Sequence, residues 1–102
     1  MIVVYAHKAI AELEAIWQWN LEHYSPDHAD RYIEYLRENI DALSDGYDRG
    51  KRVGFRPDLR YILIRRKSRG HGHVAVYAVN ESQVRVLHVF HSAQDWRAKL
   101  TE

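Results

Sequence analysis

The chain has 102 residues, which is enough for one domain, residues 1–102, with a modest hydrophobic core. Its hydrophobic fraction of 46% and aromatic fraction of 12% are typical of a globular protein and exclude a disordered chain. The absence of cysteine excludes disulfides and thiolate metal sites and favours a reducing compartment, so we expect a cytoplasmic protein. The apolar run at residues 2–6 is too short for a signal-peptide core or a membrane span, so no membrane partner is expected.

The net charge of +1 conceals a separation of charge along the chain. Residues 1–48 carry ten acidic and three basic side chains, whereas residues 49–69 carry nine Lys or Arg against Asp58 alone. This layout is typical of a basic surface for an acidic or phosphate-bearing partner. It is equally typical of a solvated basic segment that neutralises acidic helices beside it, and the sequence leaves both interpretations open.

The first half of the chain predicts a short strand followed by two helices. Ile2–Tyr5 is β-branched and aromatic, which predicts a strand. From Ala9 onward the spacing of the apolar residues becomes that of a helix. The predicted apolar face comprises Ala9, Leu13, Ile16, Trp17, Asn20 and Tyr24, with Glu12, Glu14, Gln18 and Glu22 opposite. Ser25-Pro26-Asp27 is typical of a helix start, and a regular apolar stripe predicts that the second helix continues to Gly46. The short link between the helices predicts an antiparallel hairpin.

The second half predicts a connector at 46–58, three strands at 59–66, 73–79 and 84–90, and a short C-terminal helix. Turns at 67–72 and 80–83 predict an antiparallel meander. Ser92 and Asp95 form a capping signal for a helix whose apolar face would contain Ala93, Trp96 and Leu100. We therefore predict an α+β fold of order β-α-α-β-β-β-α, with the helical hairpin packed on a curved antiparallel sheet.

The remaining motifs give weak indications of chemistry. His71-x-His73 has the spacing of a metal pair on one strand face, but His71 falls in a glycine-flanked turn, so we expect no metal site and no cofactor. His88 and His91 have opposite parity on their strand, which favours structural or interface roles over joint catalysis. Tyr61, Tyr77 and Phe90 could stack bases beside the arginines, or could be core; Tyr77 fits a core or interface position better.

Several ordered segments resemble the ParE branch of the RelE/ParE superfamily of type II toxins. Ala9-x3-Leu13-x2-Ile16 resembles the family signature in the first helix, and Arg56-Pro57-x-Leu59-Arg60 is similar to its R-P-G-L-R segment. His73-Val-Ala-Val-Tyr77 resembles H-V-I-F-Y, and Val86-Leu-His-Val-Phe-His91-x3-Asp95 resembles I-L-R-V-L-H-x3-D. The resemblance extends over residues 2–100.

The resemblance implies a non-catalytic toxin that inhibits DNA gyrase, contributes to plasmid stabilisation, and is neutralised by a ParD-like antitoxin whose disordered tail folds on binding. The expected target- or antitoxin-binding residues are Arg56, Arg60, Arg65, Arg66, His88 and Trp96. The expected structural residues of the family motif are His73, Tyr77, His91 and Asp95.

The alternative implied by the superfamily is a RelE-like, metal-independent endoribonuclease that cleaves mRNA on the ribosome. His88 stands where the ParE motif usually has arginine, and with Arg60 and Arg65 it would form the catalytic set. This alternative requires the three side chains to converge on one concave face.

Overall fold

The computed structural model describes residues 1–66 and 71–101. In chain order the elements are β1 (Ile2–Tyr5), α1 (His7–His23), α2 (Pro26–Asp41), α3 (Leu43–Gly46), β2 (Lys51–Val53), β3 (Arg56–Ile64), β4 (His73–Val79), β5 (Gln83–His91) and α4 (Trp96–Lys99). Most of the turn predicted after β3, including Lys67 and Arg69, lies outside the described residues. No helix within the described ranges has the length and apolar character needed to cross a bilayer.

The strands form a five-stranded sheet in the order β1-β5-β4-β3-β2. The meander of β2 to β5 is antiparallel, and β1 adds to it by pairing in parallel with β5. The hairpin of α1 and α2 covers one face of this sheet, which confirms the predicted α+β fold. A register shift opposite Val76 and Tyr77 places one extra residue in β5.

The sheet buries apolar side chains on both faces. Beneath the helical hairpin, Leu36, Ile40, Tyr77 and Val86 belong to the larger cluster. On the other face, α4 covers a smaller cluster comprising Val53, Leu59, Val74, Val76, Phe90 and Trp96. One short C-terminal helix is therefore enough to close the second core, because it contributes a tryptophan that is 5% exposed.

The structure corrects several predicted boundaries. The connector contains the unpredicted strand β2, and β3 begins at Arg56 instead of residue 59, because these two short segments pair with one another. The second helix ends at Asp41 and a separate turn of helix follows, so the regular apolar stripe to Gly46 is divided between α2 and α3. Tyr24, expected on the apolar face, is 62% exposed because α1 ends at His23, ahead of it.

The predicted Ser92/Asp95 capping signal is wrong. β5 continues to His91, which pairs with His73, and this pairing brings Ser92 next to Gly72. Ser92 Oγ accepts a hydrogen bond from the Gly72 N–H at 2.8 Å instead of capping a helix. Helix α4 begins only at Trp96, and Asp95 occupies its N-cap position without a side-chain cap.

Candidate functional site

A groove of about 900 Å³ lies between the helical hairpin and the C-terminal half of β5. It exists because β1 pairs with β5 only from Gln83 to Val86, which leaves the following residues of β5 without a neighbouring strand on that side. Trp19, Tyr24 and Tyr32 contribute the helical wall. The groove thus combines an open sheet edge with an aromatic wall.

The aromatic wall continues onto the exposed tip of the hairpin. Trp19 stacks on His23 with ring centroids 4.0 Å apart, and the ring centroids of Tyr24 and His28 are 4.3 Å apart. Trp19 is 50% exposed and Tyr24 is 62% exposed, although both rings are largely apolar. A contiguous exposed aromatic patch with polar neighbours is typical of a protein-interaction surface.

The floor of the groove contains a histidine cluster. His73 is 8% exposed, and its Nδ1 lies 2.5 Å from the Tyr32 hydroxyl. The His73 and His91 ring centroids are 5.2 Å apart, and those of His71 and His91 are 5.7 Å apart. Among the described residues, no three His, Asp or Glu side chains are arranged to hold a metal ion.

Burial sets the protonation of this cluster. It lowers the pKa of His73 to about 4, with a further contribution from the positive charge that His91 can carry. Burial also raises the pKa of Tyr32 to about 12. At neutral pH we therefore assign the Tyr32 hydroxyl as the donor and His73 Nδ1 as the acceptor, with the ring proton on Nε2.

Arg66 forms the positively charged rim of the groove. Its guanidinium carbon lies 5.3 Å from the Tyr32 ring centroid and 5.1 Å from that of Tyr35. The Tyr35 hydroxyl donates to the Arg65 carbonyl at 2.8 Å, which fixes the backbone beside Arg66. Two tyrosines of α2 thus hold this arginine over the groove by cation–π contact.

Glu12 is a site residue that the sequence did not identify, because it was assigned to the solvent face of α1. Its carboxylate accepts a hydrogen bond from the Val89 N–H at 2.9 Å and lies 3.2 Å from His88 Nδ1. Glu12 therefore satisfies the edge of β5 that β1 leaves open. One signal was present in the sequence: Glu12, Ile16 and Asn20 are spaced by four and share one side of the helix.

We expect Glu12→Ala to lower the free energy of unfolding by about 1–2 kcal/mol, because the half-buried Val89 N–H and His88 lose their acceptor. Urea denaturation monitored by circular dichroism measures the change. Glu14→Ala, at an exposed position on the same helix, is the matched control. Equal stability of the two variants would contradict the edge-closing role of Glu12.

The structure distributes the predicted arginines along the length of β3. Arg56 lies at the β2–β3 turn and donates to Asp58 at 2.9 Å, whereas Arg65 and Arg66 follow the opposite end of the strand. The eight residue steps of β3 correspond to about 26 Å. Arg60 lies between Arg56 and Arg65, and its Nη1 donates to the Gly50 carbonyl at 2.9 Å. These residues do not form one continuous surface, and only Arg66 lines the groove.

His88 and Arg60 lie on opposite faces of the sheet. His88 pairs with Val76, and Val76 pairs with Tyr61, so these three side chains share a face. Arg60 precedes Tyr61 and points to the other face, towards the loop at Gly50. The alternative catalytic set of Arg60, Arg65 and His88 therefore does not converge. As predicted from parity, His91 lines the groove whereas His88 does not.

Trp96 requires a correction, because its indole is buried in the second core and is not available as a contact surface. Arg97 lies over this ring, 4.3 Å from its centroid, and donates to the Tyr61 hydroxyl at 3.1 Å. The polar surface of α4 is thus presented by Arg97.

The remaining residues of the family motif make internal contacts. The Tyr77 hydroxyl accepts from the Gly50 N–H at 3.0 Å and donates to the Tyr47 carbonyl at 2.9 Å. His91 Nδ1 accepts from the Ala93 N–H at 3.1 Å. Gly50 has no room for a Cβ, which would collide with the Tyr77 hydroxyl. Tyr77 is therefore a core residue that anchors the loop before β2.

Comparisons with known proteins agree with this architecture. No curated protein matches the chain in sequence. Its structure is similar to a solved chain of a chromosomal ParDE TA system from P. aeruginosa, with a TM-score of 0.75 over 88% of this chain and 94% of that chain. At 21% identity that similarity shows the fold alone. Residues 3–96 match the family of the ParE toxin of type II toxin-antitoxin system, parDE, and the chain therefore belongs to the ParE toxin family.

Proposed function

We propose that this ParE-family toxin inhibits DNA gyrase in the cytoplasm by binding, and that a cognate ParD-like antitoxin neutralises it by folding its tail into the groove. The observation that carries the antitoxin part is the groove itself, whose exposed aromatic wall lies beside the part of β5 that β1 does not cover. A disordered tail that folds on binding gains most where a preformed groove lets it bury its apolar side chains.

The chemistry of the groove indicates what the tail must offer. Trp19 and Tyr24 present exposed apolar rings, and Arg66 adds a fixed positive charge beside them. A complementary segment would place aliphatic or aromatic side chains on the rings and a carboxylate at Arg66. Among the predicted binding residues, this proposal uses Arg66 and leaves Arg56 and Arg60 outside the antitoxin site.

The positions of the polar side chains favour an inhibitor that binds over an endoribonuclease. Arg60 is bonded to the Gly50 carbonyl, whereas His88 contacts Glu12 at the β5 edge. A nuclease needs its acid, base and phosphate-binding groups within hydrogen-bond reach of one phosphodiester. The set Arg60, Arg65 and His88 does not meet that requirement, which supports the gyrase proposal.

Two assays on the purified toxin test the proposed target. Inhibition of supercoiling by DNA gyrase, relieved when the antitoxin is added, is the expected result. Primer extension on cellular mRNA after toxin expression should show no new 5′ ends at codon positions. Codon-positioned cuts without gyrase inhibition would overturn the proposal in favour of the RelE-like reaction.

We expect Trp19→Ala and Tyr24→Ala each to weaken antitoxin binding about tenfold or more, since exposed aromatic anchors contribute a large share of interface energy. Isothermal titration calorimetry with the antitoxin tail peptide measures this change. Phe55→Ala is the matched control, because Phe55 is 48% exposed but lies outside the groove. Equal loss in all three variants, or none in the groove variants, would argue against this site.

A further inference from the structure

The turn between β2 and β3 carries an exposed aromatic side chain that the core does not explain. Here the ribbon tip means residues 52–56, at the end of the edge strand β2 and the start of β3. Phe55 lies in the turn, is 48% exposed and belongs to neither hydrophobic cluster. A phenylalanine in this position contributes little to folding, so its surface is available to a partner.

The ribbon tip lies within a strongly basic segment of the chain, residues 49–60. Residues 49–60 contain five basic side chains against one acidic side chain: Arg49, Lys51, Arg52, Arg56 and Arg60 against Asp58. All of the basic ones except Arg60 are exposed. Arg52 Nη1 donates to the Pro57 carbonyl at 2.7 Å, which holds its guanidinium across the ribbon, and Arg56 lies on the other strand directly after Phe55. The positive charges are thus fixed on both sides of an apolar tip.

We propose that the ribbon tip is a DNA-contacting surface, in which Arg52 and Arg56 bind backbone phosphates of a duplex and Phe55 inserts into a groove. Phosphate contacts by arginine supply affinity without requiring a particular sequence. In the major groove an apolar side chain such as phenylalanine can in addition contact the methyl group of thymine. This activity goes beyond gyrase inhibition and can be measured without gyrase, so either proposal can fail alone.

The shape of the ribbon tip favours a duplex over an acidic peptide. The tip lines neither the groove beside β5 nor the pocket between α1 and α2, so neither concavity would enclose a peptide bound at the tip. A two-stranded ribbon that ends in a tight turn is instead narrow enough to enter the major groove of B-form DNA, which is about 12 Å wide. A-form RNA offers no comparable access, because its major groove is deep and narrow.

A substitution at Asp58 should increase the affinity of the ribbon tip for DNA. Its carboxylate accepts from Arg56 Nε at 3.1 Å and from Nη2 at 2.9 Å, so it neutralises that arginine in the free protein. Both side chains are solvent-exposed, with relative exposures of 45% for Arg56 and 60% for Asp58. Removing the carboxylate charge frees Arg56 for a phosphate, and Asp58→Asn should therefore bind DNA more tightly than the wild type.

Fluorescence anisotropy with the purified toxin and a labelled duplex of about 20 base pairs tests the proposal, at salt concentrations from about 50 to about 200 mM. We expect the double variant Arg52→Ala/Arg56→Ala to lose at least about tenfold in affinity and to lower the salt-dependence slope by about 2. Phe55→Ala should lose about tenfold in affinity with an unchanged slope, since it removes an apolar contact and no charge. Asp58→Asn should gain about threefold or more and raise the slope by about 1.

Two matched controls should bind DNA as the wild type does. Arg31→Ala removes an exposed arginine of α2 that is paired with Asp27, and Leu63→Ala removes an apolar side chain that is 47% exposed. The proposal is overturned if the wild type does not bind the duplex at low salt, if the ribbon variants match the controls, or if a single-stranded RNA of equal length is preferred. Weaker binding of ribbon variants to antitoxin or DNA-free gyrase with unchanged DNA affinity would overturn it in favour of a protein partner.

Discussion

Between pH 7 and pH 4 the free toxin should lose on the order of 3 kcal/mol more unfolding free energy than its His73→Gln variant. Burial against α2 and β5 lowers the pKa of His73 to about 4, below its value of about 6.5 in the unfolded chain. Below pH 6.5 the unfolded chain therefore binds a proton that the folded protein excludes. Stability falls as the pH decreases towards 4 and levels off below it.

The groups facing His73 are consistent with its lowered pKa. The Tyr32 hydroxyl donates to Nδ1, and the His91 ring lies across the strand pair. No carboxylate of residues 1–66 or 71–101 contributes to the lowered pKa of His73. His73→Gln removes the titration while keeping an oxygen that can accept from Tyr32. Urea denaturation at pH 7, 5.5 and 4 measures the difference, and His23→Gln, at an exposed position, is the control. Parallel pH profiles for wild type and His73→Gln would show that His73 does not titrate as described.

Tyr77→Phe should lower the free energy of unfolding by about 2–3 kcal/mol. The side chain is 0% exposed, and its hydroxyl connects the Gly50 N–H to the Tyr47 carbonyl. Removing the hydroxyl leaves the buried Gly50 N–H without an acceptor while the ring still fills the core. The loss therefore reports the hydrogen bonds and not a cavity.

Thermal and urea denaturation of the purified variant measure this loss. Tyr24→Phe makes the same chemical change at a position that is 62% exposed and should leave stability within about 0.5 kcal/mol of the wild type. Increased proteolysis or hydrogen exchange in the loop before β2 should accompany the loss, since Tyr77 is its anchor. If both variants were equally stable, the hydroxyl would have no anchoring role.

The sequence identified those parts of the fold whose signals are local. Ser25 caps α2 as predicted, with its Oγ accepting from the His28 N–H at 3.1 Å, because a cap depends on residues within one turn. The predicted strands at 73–79 and 84–90 match β4 and β5 within one residue, since both are β-branched and bounded by turn residues. The ordered motifs were sufficient to identify the ParE family.

Sites that depend on residues distant in the chain were harder to predict from the sequence. Ser92-x-x-Asp95 has the pattern of a cap, yet Ser92 bonds to Gly72, twenty positions earlier in the chain. The basic run at 49–69 reads as one surface in sequence, but β3 separates Arg56 from Arg66 along its whole length. In both cases strand pairing outweighs the local pattern. Pairing decides which distant residues become neighbours, and a local sequence pattern does not contain that information.

The sequence alone was sufficient to predict the order of α1, α2, α4 and the strands other than β2, the family, and the parity that separates His88 from His91. The fold was needed to show that Glu12 bonds to the edge of β5, that Trp96 is buried, and that His88 and Arg60 lie on opposite faces. The physical reason is that periodicity and capping are fixed within a few residues. The strand order, the short pairing of β1 and the register shift in β5 instead arise from contacts between residues far apart in the chain.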